Sequence, residues 1–336
     1  MNAARIFCAT AIVVSAIACT PPEAPRPTPT ADGSAARLSR TSWGDPSIEG
    51  TYTNKDEFGT PFERPDELAG RSRDEFGPEE MAALMAARSE RGKALAKTIG
   101  GSATNDTGAG PPHWYEYLEA VNSRPWFVSE PADGRVPPLT EHGKQRADAA
   151  RLAFASSKRE APDTYTDMGL YDRCITLGLP SSMMPMIYGN AYEITQSPGY
   201  VAIRYEMVHE TRIIPLDSRP HVSKSVGLDM GDARGRWVGN SLVVETTNFR
   251  ERSAYRNANV SALKIIERFT RTAPDTLEWT VTVDDSTTWV RPWTFSLPLT
   301  MNDQEPVLEY ACHEGNYAMR NMLSGERAAE REAVAK

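Results

Sequence analysis

The chain has 336 residues and carries 37 Lys and Arg against 45 Asp and Glu, a formal net charge of −8. That length suits one large domain or two modest ones. There is no basic stripe or Lys/Arg run, so nucleic acid is excluded as the expected partner; seven Trp, twelve Tyr and nine Phe are ample for a core with aromatic walls.

The first element in chain order is a secretory signal. Arg5 supplies the basic tip, an apolar stretch begins near Ile6, and Ala16-Ile17-Ala18 leads into Cys19. The stretch is shorter than the roughly 20 apolar residues that span a bilayer. Its small-small-Cys ending resembles a bacterial lipobox, which would leave Cys19 as the lipidated first residue of the mature chain. Thr20 follows, not the Asp that commonly retains lipoproteins at the inner membrane. The expected place is therefore the cell envelope, at an outer membrane, facing periplasm or exterior, with the lipid anchor as the only membrane contact. The prolines between Pro21 and Pro29 deny that segment helix and sheet ladders and make it a semi-extended tether.

Ser42–Tyr52 reads as a first short strand. Pro78 opens a helix running to about Thr98, with Met81, Leu84, Met85 and Leu95 on one face and Arg88 and Gly92 interrupting it. Gly, Pro, Ser and Thr mark 102–112 as loop. His113–Val128 is aromatic-rich. Thr140 is placed to cap a helix over Glu141–Ser157, which Gly143 weakens.

After Met186 the pattern changes to strands. Residues 191–196, 200–214, 236–249, 262–272, 275–284, 288–300 and 306–313 are the expected ones, separated by turns such as Ser197-Pro198-Gly199 and Gly239-Asn240. Gly231–Trp237 reads as a tight hairpin loop, and Tyr317–Lys336 as a charged helix. The fold class is thus mainly β, an antiparallel meander forming a lipocalin-like barrel or open clamp. The expected organisation is signal 1–18, tether 19–40, a helical and loop-rich portion 41–180, a barrel-like portion 181–316 and a C-terminal helix 317–336.

Two cysteines remain beyond the signal and the lipid site. In an oxidising compartment Cys174 and Cys312 are expected to pair; the alternative is two buried thiols.

Candidate chemistry centres on 201–213. Read as one strand, it puts Val201, Ile203, Tyr205, Met207 and His209 on one face and Arg204, Glu206, Glu210 and Arg212 on the other. Tyr205 and His209 would then project into an apolar lumen, as an acid/base pair, a ligand pocket or packed core residues, with the charged face solvated; the alternative inverts the barrel, its polar face lining a wet cavity and its apolar face packing under helices. His313 and Glu314 join them as candidate catalytic residues. Arg212, His221, Asp232, Trp289, Trp293 and Asn316 are candidate substrate-binding residues, Asp232 on a rim loop and the tryptophans as an aromatic wall for a sugar or apolar ligand. Trp289, Arg291 and Trp293 alternate along the expected strand, which also suits cation–π stacking. His209, His221 and His313 with carboxylates could hold a transition metal, but no HExxH or CxxC spacing is present, so no cofactor is expected. There is no GxSxG, P-loop or GxGxxG after a strand.

The segments YDRCITLGLPSSMMPMIYGN, IIPLDSRPHV, MGDARGRWVGNSLVVETTNF, DTLEWTVTVDD, WVRPWTFSLPL and EYACHEGNY resemble a large family of exported bacterial proteins. The resemblance runs from about Trp126 to Gly325. It brings no activity or catalytic residue with it; it implies that the Cys174 and Cys312 segments belong to one pattern, in keeping with a bridge. The functional expectations are three: an exported enzyme, a lyase or hydrolase acting on a small organic or carbohydrate substrate by His/Tyr chemistry; a lipocalin-like protein binding an apolar or aromatic ligand; or an envelope structural factor.

Overall fold

The computed structural model describes residues 39–101, 123–157 and 162–335. The expected signal, Cys19, almost all of the expected tether, the expected loop over 102–112 and His113 lie outside the described residues.

Among the described residues ten strands build one antiparallel sheet: β1 (Gly50–Thr53), β2 (Val128–Glu130), β3 (Ala191–Ser197), β4 (Tyr200–Tyr205), β5 (Thr211–Pro215), β6 (Asp232–Val238), β7 (Ser241–Thr247), β8 (Lys264–Ala273), β9 (Thr276–Asp284) and β10 (Trp293–Met301). Their order is β5-β4-β3-β1-β10-β9-β8-β7-β6, with β2 added alongside β10. The sheet curls into a nearly closed barrel, as the meander of strands implies. Its end strands, β5 and β6, are not paired by a ladder. Gly235 of β6 sits where the two edges pack: a Cβ there would lie 2.8 Å from Ile214 Cγ2 and 2.6 Å from Leu216 Cδ2. The close approach requires glycine.

Alternation fills the barrel. Leu277, Trp279, Val281 and Val283 of β9 are fully buried, and so are Ile265 and Phe269 of β8. They meet Tyr192, Ile194, Val201, Ile203, Tyr205, Leu242, Val244, Phe295 and Leu297 from the other strands in one core. Period-two geometry explains which residues enter it.

The structure corrects several strand boundaries. Residues 200–214 are not one strand but a hairpin: β4 ends at Tyr205 and a single 3₁₀ turn, Met207–His209, leads into β5. Val208 and His209 take φ values of +60° and +45° there. This left-handed backbone reverses the chain and is costly for a β-branched residue. Residues 236–249 are likewise two strands joined at Gly239-Asn240, where Gly239 has φ +61°. Gly231–Trp237 is consequently no hairpin loop, since β6 begins at Asp232. The expected strand over 288–300 starts only at Trp293, because Asp285 accepts the Thr287 and Thr288 amides at 2.9 and 3.1 Å and holds a turn. Residues 306–313 form no strand.

Among the described residues three α-helices flank the sheet: α1 (Pro78–Gly101), α2 (Glu141–Ser157) and α3 (Ala318–Val334). Arg88 does not interrupt the inner face of α1. It lies on it, buried, donating to the Arg124 and Pro125 carbonyls at 2.8 and 2.6 Å. The Thr140 hydroxyl accepts the Gly143 amide at 3.0 Å and caps α2. Gly143 also lets α2 dock, since a Cβ there would stand 2.3 Å from the Thr288 carbonyl oxygen. Among the described residues no helix is long and apolar enough to cross a membrane.

Candidate functional site

The candidate residues fall in four separate places. The first is the barrel interior. Tyr205 is fully buried, edge-on to Tyr192 at 5.9 Å, and its hydroxyl has no hydrogen-bond partner among the described residues. Burial, only partly offset by nearby Arg212, pushes the phenol well above its ordinary range. Arg212 points into the same interior, because the turn at Met207–His209 separates its strand from that of Tyr205. It donates from Nη1 and Nη2 to Glu267 at 2.5 and 3.0 Å, and Trp279 Nε1 donates to the same carboxylate at 3.1 Å. The expectation that Arg212 lies on a solvated face is therefore corrected. Arg212 is structural, sealed in the core with its partner.

The second place is the start of β6. Asp232 is not on a rim loop; it is the buried first residue of the strand. It accepts from His221 Nδ1 and the Val222 amide, both at 2.9 Å, and from Arg234 at 2.6 Å. Burial opposes its charge, but these three donors outweigh it and hold the carboxyl below its ordinary 3.8. His221 Nε2 faces Glu245 at 3.5 Å, and Lys264 pairs with Glu245 at 3.3 Å. The result is a polar chain, Arg234–Asp232–His221–Glu245–Lys264, beside a hollow of about 430 Å³.

The third place is the tryptophan pair. Trp289 and Trp293 are both buried, edge to face at 5.7 Å, so they present no open wall to a sugar. Arg291 is exposed, and the guanidinium over Trp293 is that of Arg256, at 5.5 Å. The expected Trp-Arg-Trp alternation fails because Pro292 and the turn before it delay the strand.

The fourth place gathers the rest. Cys174 and Cys312 form the expected disulfide, 138 residues apart in sequence, with Cα atoms 5.8 Å apart. The bridge ties the irregular segment after β10 to the segment that precedes β3. Asn316 Nδ2 lies 3.6 Å from Cys174 Sγ. His209 is exposed, outside the lumen, and its Nδ1 donates to the Tyr310 carbonyl at 3.0 Å. His313 and Glu314 are exposed on the same segment. His209 and Tyr205 thus form no acid/base pair: one is on the surface, the other sealed in the core. Among the described residues no cluster of His, Cys, Asp and Glu is arranged to hold a metal.

Here a cavity of about 750 Å³ opens between this segment, α3 and the ends of β3 and β4. Tyr171, Tyr188 and Tyr310 wall it, with Leu308 and Met322 as its large aliphatic side chains. Tyr188 and Tyr310 stack at 6.3 Å with 16° between their planes. The Tyr171 and Tyr310 hydroxyls share a hydrogen bond of 2.9 Å. Burial, then hydrogen bonding among the phenols, raises Tyr171 well above the ordinary range, and burial also raises Tyr310. His209 props this wall through the Tyr310 backbone. Sequence reasoning missed the three tyrosines. They sit in irregular segments where no periodicity marks a shared face, and only the specific strings YDRC, MIYGN and EYACHEGNY single out the regions.

No family model matches the chain, and no curated protein matches it. Among solved structures it is similar to a secretary abundant heat soluble (SAHS) protein from Ramazzottius varieornatus. The identity is 16%, over 42% of this chain and 90% of that one, with a TM-score of 0.23.

Proposed function

We propose that this is a small-molecule-binding protein whose ligand sits outside the barrel wall, in the tyrosine-walled cavity, and that the chain is exported and tethered through Cys19. The cavity carries the reading. Its volume of about 750 Å³ falls within the range of small-molecule sites, and its lining is mostly apolar with a few polar groups, as such sites are. The barrel serves as scaffold, its centre taken up by Trp279, Phe269, Phe295 and the Arg212–Glu267 pair. Three strained backbone positions, Cys174, Val208 and His209, flank the cavity. Strain of this kind gathers at ligand sites held by a rigid frame. The signal and tether support the exported, lipid-anchored reading by composition alone.

The test is a fluorescence titration of the full chain with neutral phenylnaphthylamine. Saturable binding is expected, weakened on the order of tenfold or more in Met322→Trp. Met322 is exposed on α3 and lines the cavity, so a larger side chain there fills the space without entering the core. Absent saturation, or equal affinity in the variant, would sink the proposal.

A further inference from the structure

We infer that the occupant of the tyrosine-walled cavity is an organic cation, an amine or quaternary ammonium on an aromatic or alkyl body. This rests on the reading of that cavity as the ligand seat. Among the described residues three carboxylates, Asp172, Glu206 and Glu309, line it, and no Lys, Arg or His does. The other hollows described differ. The one beside His221 carries Lys224 and Lys264, and a second of about 280 Å³ carries Arg252 and Arg256. A third of similar size adjoins the cavity, sharing Glu206 and Leu308 with it, and its Lys55 is paired with Glu305 at 3.5 Å. Arg173 follows Asp172 directly in sequence but turns away, its guanidinium 5.2 Å from the Tyr165 ring centre.

The aromatic lining completes the argument. Ring faces carry negative potential and attract cations, most strongly where water is excluded. Carboxylates at the rim add a longer-ranged attraction. Raised phenol pKa values leave Tyr171 and Tyr310 neutral in ordinary buffers, so the carboxylates supply the charge and the rings supply the apolar surface. A neutral ligand would use only the rings. An anion would meet like charge, with no basic side chain among the described lining residues to receive it.

Three fluorescent probes of similar aromatic body test this on the full chain: cationic dimethylaminostyryl-methylpyridinium, neutral phenylnaphthylamine and anionic anilinonaphthalene sulfonate. The cation is expected to bind on the order of tenfold tighter than the neutral probe, the anion more weakly than either, and the cation's advantage to shrink as salt rises. In Glu206→Gln/Glu309→Gln the cation should lose its advantage while the neutral probe keeps its affinity. Gln at 206 retains an acceptor for the Ala191 amide that Glu206 receives at 3.1 Å. Glu309→Gln alone, at an exposed position, should lose part of the advantage and guards against misfolding of the double variant. If the neutral probe binds at this cavity and the cation binds no tighter, or if the advantage survives both substitutions, the charge inference is overturned and the ligand seat stands. If the neutral probe shows no binding that Met322→Trp weakens, the seat itself fails, and the inference with it.

Discussion

Arg212 and Glu267 put two full charges in the middle of an apolar barrel, at 5% and 0% exposure. Charges so placed are tolerable only because each satisfies the other. The fork-to-fork geometry and the added Trp279 donor provide that. Removing one partner leaves the other buried and unpaired. Arg212→Met is therefore expected to lower unfolding stability in urea by about 3–5 kcal/mol, and Arg212→Met/Glu267→Met to regain most of the loss. A double variant no better than the single one would show that the unpaired carboxylate is not the cause. The sequence disguised this pair. Alternation read straight through 200–214 sends Arg212 outward, because an odd number of positions separates it from Tyr205. The turn at Val208 resets the alternation. A valine with positive φ is a conformation that residue type argues against, so nothing local announces it.

At the level of elements, the helices were the most legible. Pro78, Thr140 and the start of the charged C-terminal stretch mark their beginnings as the sequence suggests. Gly143 shows what propensity misses. As a helix interior residue it costs stability, and Ala would by propensity alone gain about 1 kcal/mol. The packing argues the opposite. The neighbour at 2.3 Å is a backbone carbonyl, which cannot swing aside like a side-chain tip. Gly143→Ala is expected to destabilise by about 1–3 kcal/mol in thermal or urea unfolding, overpacking outweighing propensity. A stabilised variant would show that α2 does not rest on Thr288. Strands were legible in kind and less so in extent. Their pattern is clear where a ladder exists, as in β8 and β9, whose expected ranges lie close to the observed ones. It misleads at 306–313, which alternates like a strand but has no ladder partner. The candidate site was legible only in fragments. Cys174, Cys312, His209 and Asn316 were named and do gather at the cavity or its wall. The tyrosines that make it a cavity come from three irregular segments, joined by a long-range bridge rather than by any short-range spacing.

At the scale of the whole molecule, the disulfide does what no ladder does for the chain after β10. It closes a loop of 138 residues and holds Tyr310 against Tyr171 and Tyr188. Cys174→Ser/Cys312→Ser is expected to lose about 2–4 kcal/mol of unfolding stability, and with it saturable binding of the neutral probe. Retained probe affinity in a folded, bridge-free variant would show that the His209 contact and α3 suffice to hold the wall. The barrel itself was anticipated as a meander. The place of β1 was not, since its partners lie far away in sequence: it pairs with β3 on one side and with β10 on the other, Tyr52 opposite Met301.

That placement sets an order in time. A ribosome makes β1 before the other strands of the sheet and its neighbour β10 after them. Until β10 arrives, the strand that joins the two halves of the sheet has one side waiting. Every shorter product, whether a stalled chain or a truncated one, carries an unpaired edge of the kind that recruits other chains. The sheet is completed by its last strand, and its first strand is the one left waiting.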